Sequence, residues 1–281
     1  MKNQITVKQS IEKVYQNDWQ FQKNCTTSLR NAYVFSDWYG KNKLMNNIST
    51  QVVRDYKFHL RNDLKYKDAT INRKLASLSK LITYVRGCEG FVFLWGLPII
   101  EYEKTWNRRT YTLSSSIEKE LIKNTNELGY PEYNDLWIFL IDVGCRLSEA
   151  LNLRREDVDD DFVLFRNTKN GTERHVPIFN RVKKILARRT GDRVFPFAYS
   201  TVQSVWKKIK KNMNMTGEKD FVIHSLRHTC ITRLLNRKVG IEVVQIVVGH
   251  NDIRMTQRYN NPIKEDIKSN ANYKEFLIGS V

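Results

Sequence analysis

The chain has 281 residues, enough for two domains that each bury a core. With 41% hydrophobic and 27% charged residues it has the balance of a folded globular protein and not of a disordered one. Its 47 Lys and Arg against 30 Asp and Glu leave a formal charge of +17, which points to a polyanionic partner, nucleic acid ahead of a membrane surface. Residues 1–105 hold 17 basic and 9 acidic side chains and residues 106–281 hold 30 and 21, which excludes a basic tail on a neutral enzyme. The four cysteines, Cys25, Cys88, Cys145 and Cys230, are too scattered for a metal or disulfide framework and read as reduced thiols of a cytoplasmic protein. The first ten residues are too polar for a signal peptide, and the apolar run 91–100 is too short to span a bilayer, so no membrane partner is expected.

The N-terminal part reads as four helices. Thr6 is placed to cap the first, which carries Ile11 and Val14. A second holds Leu29, Ala32, Tyr33 and Phe35 and stops near Gly40, and a third follows Ser49 or Thr50 with Val52, Val53, Tyr56 and Leu60. The fourth puts Ile71, Leu75, Leu78, Ile82 and Val85 on one face and stops at Gly87. Arg73, Lys74 and Lys80 lie off that face; a solvated surface and a DNA-facing one are equally good readings of them. Residues 104–112 are polar and basic without a helical period and read as a linker, with Arg108 and Arg109 available to phosphates.

The rest mixes element types. SSIE at 115–118 has the form of a capping box. Helices are expected over 136–143 and 146–153. Two short strands, 162–166 and 174–178, flank Asn170-Gly171, a hairpin signal. Further helices follow near 179–189, 199–213 and 224–237, so the fold class is mostly α with a small antiparallel β-sheet.

Several segments hold residues suited to phosphate chemistry. In HSLRH, His224 and Arg227 share a helical face, although a helical His-x-x-Arg is more often a surface pair. Arg146 and Glu149 in GCRLSEALNL read either as a surface ion pair or as a guanidinium held ready for a phosphate, since planar Arg forks bind phosphate oxygens in pairs. Asp157, Asp159, Asp160 and Asp161 fit a polar turn better than a cation site, and no metal ligands are assigned. Lys169 stands at the hairpin turn, where most lysines are merely solvated but one could reach a leaving oxygen. His250 follows an apolar helix, and Tyr259 comes nine positions later.

Taken in order, GCRLSEALNLRREDV, the hairpin TKNGTERHVPI, HSLRHT, the pair Gly249-His250 and the terminal Tyr259 resemble the boxes of the tyrosine recombinases, or phage-type integrases. The resemblance is specific over about 113–260 and generic before it. It implies a helical DNA core-binding domain over 1–103, the linker 104–112, a catalytic domain over 113–260 and a tail over 261–281, which either docks on a neighbouring protomer or packs on its own domain. It further implies Arg146 and Arg227 as a phosphate clamp, Lys169 as general acid, His224 as proton acceptor, His250 as phosphate donor, Tyr259 as nucleophile and Glu149 as a supporting acid. The chain departs from the family pattern at Asp142-Val143, where a Thr is common, and at Cys145 and Cys230, usually apolar positions whose thiols are expected to make the protein sensitive to thiol reagents.

The activity so implied is site-specific cleavage and rejoining of double-stranded DNA through a 3′-phosphotyrosyl link, without metal, ATP or other cofactor. A homotetramer on two DNA sites is the implied assembly, and an integrase of a phage or other mobile element the implied role. A chromosome-dimer resolvase shares every catalytic residue, and a type IB topoisomerase is the more distant alternative.

Overall fold

The computed structural model describes residues 4–105, 111–166 and 173–259. Lys169, Arg108, Arg109 and the tail 261–281 lie outside them. Contacts divide the chain into two compact units, Met1–Asn107 and Arg108–Val281.

The first unit is four helices around one core. They are α1 (Val7–Asn17), α2 (Cys25–Tyr39), α3 (Thr50–Asn62) and α4 (Asp68–Arg86). Thr6 caps α1 in a reciprocal box with Gln9, and Ser49 caps α3 by accepting from the Val52 amide. The expected stripe of α4 is buried from Ile71 to Val85 and meets Phe35 and Ala32 of α2 and Val53, Tyr56 and Leu60 of α3 in one cluster. Each such aliphatic side chain contributes about 1.5–3 kcal/mol of burial, which outweighs the weak intrinsic preference of any one helix.

The three basic side chains of α4 singled out from the sequence, Arg73, Lys74 and Lys80, differ in their surroundings. Lys74 does not face solvent as a DNA contact would. It is buried, its ammonium donates to Asn31 Oδ1 at 3.3 Å and lies over the Tyr66 ring, and burial holds its pKa below the usual lysine value. Its long aliphatic stem lets it join the packed face that the sequence alone placed outside the apolar stripe. Lys80 is paired with Asp18 at 2.6 Å, and only Arg73 of the three is exposed without such a partner among the described residues.

The second unit is mostly helical with one two-stranded sheet. Its elements are α5 (Ser115–Glu127), α6 (Glu132–Val143), α7 (Leu147–Asn152), β1 (Phe162–Phe165), β2 (Arg174–Pro177), α8 (Asn180–Ala187), α9 (Tyr199–Asn212), α10 (His224–Asn236), α11 (Ile241–Val248) and α12 (Ile253–Gln257). The strands are antiparallel, with Phe162 opposite Pro177 and Phe165 opposite Arg174. The core is built on α6, whose Leu136, Trp137, Phe139 and Leu140 are buried with Trp206 of α9, Phe195 and Phe221. The cap of α5 sits one residue earlier than the capping box implied. Ser114 accepts from the Ile117 amide, because Glu118 turns away to ion pairs with Arg181 and Arg233 at 2.8 and 2.7 Å. Asp159 accepts from the amides of Asp161 and Phe162, and Asp161 pairs with Lys183 at 2.7 Å, so this acidic run is a polar turn. Among the described residues no cluster of metal-ligating side chains occurs and no helix is long and apolar enough to cross a membrane.

Candidate active site

The site is assembled where α6, α7, β2, α10 and α11 converge. Helix α6 ends at Gly144 in the left-handed region with φ +66°, which turns the chain so that Arg146 precedes α7. A Cβ at Gly144 would stand 2.8 Å from Cys230 Sγ of α10, so α6 and α10 approach too closely here for any side chain. Across this contact Arg227 donates from Nη1 to the Gly144 carbonyl at 2.9 Å.

Helix α11 ends in the same way at Gly249, φ +70°. The Gly249 carbonyl accepts from Arg146 Nη2 at 3.2 Å, which brings the first box and the last helices together. Here too a side chain has no room, because a Cβ at Gly249 would stand 2.9 Å from Arg174 Nη1.

Glu149 is the anionic centre of the cluster. Its Oε2 accepts from the Arg146 amide at 2.8 Å and from Arg174 Nη2 at 2.7 Å, while its Oε1 accepts from Arg146 Nη1 at 2.8 Å. Burial alone would raise its pKa, but the hydrogen bonds and charge of Arg174, with those of Arg146, hold it below the ordinary carboxylate value. Arg174 is the residue that sequence reasoning passed over. It is buried, donates from Nε to the Val247 carbonyl at 2.9 Å and lies over the Phe165 ring. Its signal was present in the strand: Arg174 and Val176 alternate inward, and an Arg on the buried face of a strand needs a partner.

Two guanidinium groups, those of Arg146 and Arg174, therefore meet one carboxylate, and Arg227 stands beside them. Arg227 is only 2% exposed and, among the described residues, has no carboxylate at ion-pair distance. Burial, then the charge of Arg146, pushes its pKa down to about 10, which leaves it charged at neutral pH. A buried cation with a single backbone acceptor is costly to hold, and an anion entering beside Arg146 and Arg227 would offset that cost.

The two imidazoles of the boxes line the same cluster. His250 is buried, with Nδ1 and Thr256 Oγ1 2.9 Å apart, and burial followed by Arg227 and Arg146 pushes its pKa down to about 3. His224 opens α10 and is exposed. The protein packed around it, then the charges of His228, Arg227 and Arg146, push its pKa down to about 4. Both are therefore neutral at pH 7 and able to accept or donate through a free nitrogen.

Tyr259 follows α12, half-buried, its amide donating to the Thr256 carbonyl at 3.0 Å. Its ring packs on the small cluster of Ile231, Val244 and Val248. Burial raises its pKa above the usual phenol value, against an opposite pull from Arg227. Arg146, Glu149, Arg227, His224, His250 and Tyr259 are thus gathered in one place. The cysteines beside them, Cys145 and Cys230, are buried, and burial raises both thiols, Cys230 to about 12.

Comparison with known proteins points to one family. The model of the phage integrase family matches residues 112–266. The chain is 31% identical over 137 residues to tyrosine recombinase XerA of Saccharolobus solfataricus, covering 46% of each chain. It is 31% identical over 188 residues to the XerA of Pyrococcus furiosus, covering 60% of this chain and 65% of that one. The chain thus spans between about half and two thirds of the length of these relatives. In fold it is similar to the Tn1549 transposon integrase solved with transposon right end DNA, with a TM-score of 0.73 at 17% identity over 98% of this chain and 100% of that one. By the match of the family model over more than half of its length and its helical fold with a small sheet, this chain belongs to the phage integrase family of tyrosine recombinases.

Proposed function

We propose that the protein is a site-specific DNA recombinase of the integrase type, which breaks and rejoins strands through a 3′-phosphotyrosyl intermediate. The observation that carries this reading is the convergence of Arg146 and the buried Arg227 with Tyr259 and two neutral imidazoles. In the forward step Tyr259 Oη bonds to phosphorus as the bond to the 5′-oxygen breaks. His224 takes the phenol proton, since a phenol raised by burial is a poor nucleophile without a base. Arg146 and Arg227 bind the non-bridging oxygens and neutralise the charge that grows there, and His250 donates to the same group. Lys169, outside the described residues, returns a proton to the 5′-oxygen. Rejoining reverses each step, with the 5′-hydroxyl of another strand as nucleophile.

In the same reading residues 1–103 form the core-binding domain and 104–112 the linker, with Arg73, Arg108 and Arg109 offered to phosphates. The charge of +17 supports duplex DNA as the partner. The tail 261–281 bridges protomers in a homotetramer on two sites. The resolvase reading is favoured by one observation, the likeness to proteins named XerA.

The test is covalent capture. The full chain is incubated with a randomised duplex library, and denaturant-resistant protein–DNA adducts are isolated and sequenced. Wild type is expected to enrich a defined sequence, and Tyr259→Phe to retain binding without adducts. Adducts that persist in Tyr259→Phe would remove Tyr259 from its role. Two plasmids bearing the enriched site should be joined; relaxation of one plasmid alone would favour the topoisomerase reading.

A further inference from the structure

His228 lies in the middle of the site without a part in the reaction outlined above. It belongs to the stripe His224, Arg227, His228, Ile231 on α10, spaced so that all four share one face. It is buried at 6% exposure. Its ring meets the His224 ring edge to face at 4.8 Å between centroids and an angle of 79°. It meets the Tyr259 ring in the same manner at 5.2 Å and 63°. Among the described residues it is the ring in contact with both the proposed proton acceptor and the proposed nucleophile.

We propose that His228 is a positioning residue for Tyr259, a buried ring that seats the phenol on one side and holds His224 on the other. This inference rests on the recombinase reading and adds to it the question of how the nucleophile is aimed. Tyr259 follows a helix of five residues, too short to be rigid by itself. The backbone there is tied through Thr256, which bonds to His250 and accepts from the Tyr259 amide. That tie fixes where the residue is rooted but leaves the side-chain torsions open. The cluster of Ile231, Val244 and Val248 and the edge of His228 close them. Edge-to-face contacts prefer a narrow set of ring orientations, which is the property an aimed phenol requires. A nucleophile displaced by about 1 Å can lose about a hundredfold in rate. Because the same ring also touches His224, nucleophile and acceptor are placed against a common wall and keep their mutual geometry.

The experiment uses the full chain and the duplex enriched by wild type in the capture described above. His228→Ala and His228→Phe are each made with Tyr259 present and again with Tyr259→Phe. With Tyr259 present, the rate of adduct formation is followed against duplex concentration. With Tyr259→Phe, strand cleavage is driven by added hydrogen peroxide, whose anion forms the bond to phosphorus while the 5′-oxygen leaves as before. Peroxide needs the clamp but no seat for a phenol. His228→Ala is expected to lower the saturating adduct rate at least about tenfold with half-saturation nearly unchanged. Peroxide cleavage should stay within about twofold of Tyr259→Phe alone, which also reports that the variant is folded. His228→Phe keeps a ring edge against the phenol and should recover most of the adduct rate.

An unchanged adduct rate in His228→Ala would overturn the proposal. So would a parallel loss in the peroxide arm, which would place His228 in service of the clamp or the fold. A His228→Phe as slow as His228→Ala would overturn it too, since the imidazole nitrogens would then be what matters. The failures stay distinguishable: wild-type adducts carry the recombinase reading, and the ratios among variants carry His228.

Discussion

Arg174 of β2 and Glu149 of α7 form a buried ion pair at 2.7 Å, with their side chains 6% and 7% exposed. Glu149 also holds Arg146 at 2.8 Å, and Arg174 also holds the Val247 carbonyl at 2.9 Å. One carboxylate and one guanidinium thereby join the strand after the lysine hairpin, the first arginine of the clamp and the helix that precedes His250. The pair is a structural hub, and its cost in desolvation is tolerable because each charge has several hydrogen-bond partners.

Removing the hub should therefore be severe. Glu149→Gln would leave Arg146 and Arg174 without their shared anion, in a cluster where Arg227 adds a third positive charge. A loss of about 3 kcal/mol of stability is expected, as for other broken buried pairs. Arg174→Lys keeps the charge but cannot reach Glu149 and the Val247 carbonyl together, and should lose most adduct formation with a smaller loss of stability. Denaturant unfolding and covalent capture separate the two quantities. A variant Glu149→Gln as stable as wild type would refute the hub.

The close approach of α6 and α10 predicts a paired effect. Gly144→Ala places a Cβ 2.8 Å from Cys230 Sγ and forces a side chain into φ +66°. The backbone part alone costs about 1–2 kcal/mol. Adding Cys230→Ala removes the nearest atom and should recover much of the steric part but not the backbone part, since Cys230 Cβ at 3.1 Å and Val248 Cγ1 at 3.3 Å remain. Thermal unfolding of both single variants and the double variant gives the coupling; simple additivity would mean the helices separate freely.

Thiol chemistry is expected to spare the site. Cys145 and Cys230 are buried, while Cys25 and Cys88 are partly exposed. With Cys230 pushed up to about 12, about one molecule in ten thousand is thiolate at pH 8. This burial argues against the expectation drawn from sequence that thiols at these two positions make the protein sensitive to thiol reagents. Timed alkylation read by mass spectrometry should label Cys25 and Cys88 first. Early labelling of Cys230 would contradict the packing described.

Acid should destabilise the second unit in a defined range. His250 has its pKa pushed from 6.5 down to about 3 in the folded protein, so below pH 6.5 the unfolded chain binds a proton that the folded one refuses. Stability is then complete above about pH 7 and falls as pH drops towards 3, by up to about 1.4 kcal/mol per pH unit. The depressed Glu149 adds a loss of the same sign. Unfolding of wild type and His250→Gln between pH 7 and pH 4 tests this, with a flatter profile expected for the variant.

The comparison of sequence with structure is instructive at particular residues. The apolar stripe of α4, the caps at Thr6 and Ser49 and the stop at Gly87 follow from short-range spacing, and the structure has each of them. Local reasoning erred where a side chain had a distant alternative. Glu118 left its capping role for Arg181 and Arg233, and Lys74 left solvent for Asn31 and Tyr66. Arg174 and His228 went unremarked, because an inward Arg on a strand and a second His on a helix carry meaning only once their partners are known.

The sequence by itself determined most of the helices and several of their ends, the small sheet, the basic charge and the set of phosphate-handling side chains in family order. These are set by periodicity, capping and composition, which act over a few residues. Only the tertiary structure decided who meets whom: Arg174 with Glu149 across 25 positions, Arg227 with Gly144 across 83, and Arg146 with Gly249 across 103. Such pairs form because the packing of α6 against α10 brings the chain ends of two helices together, and the two glycines leave room for it. No local pattern encodes a distance of that kind, since it is the burial of the whole core that sets it.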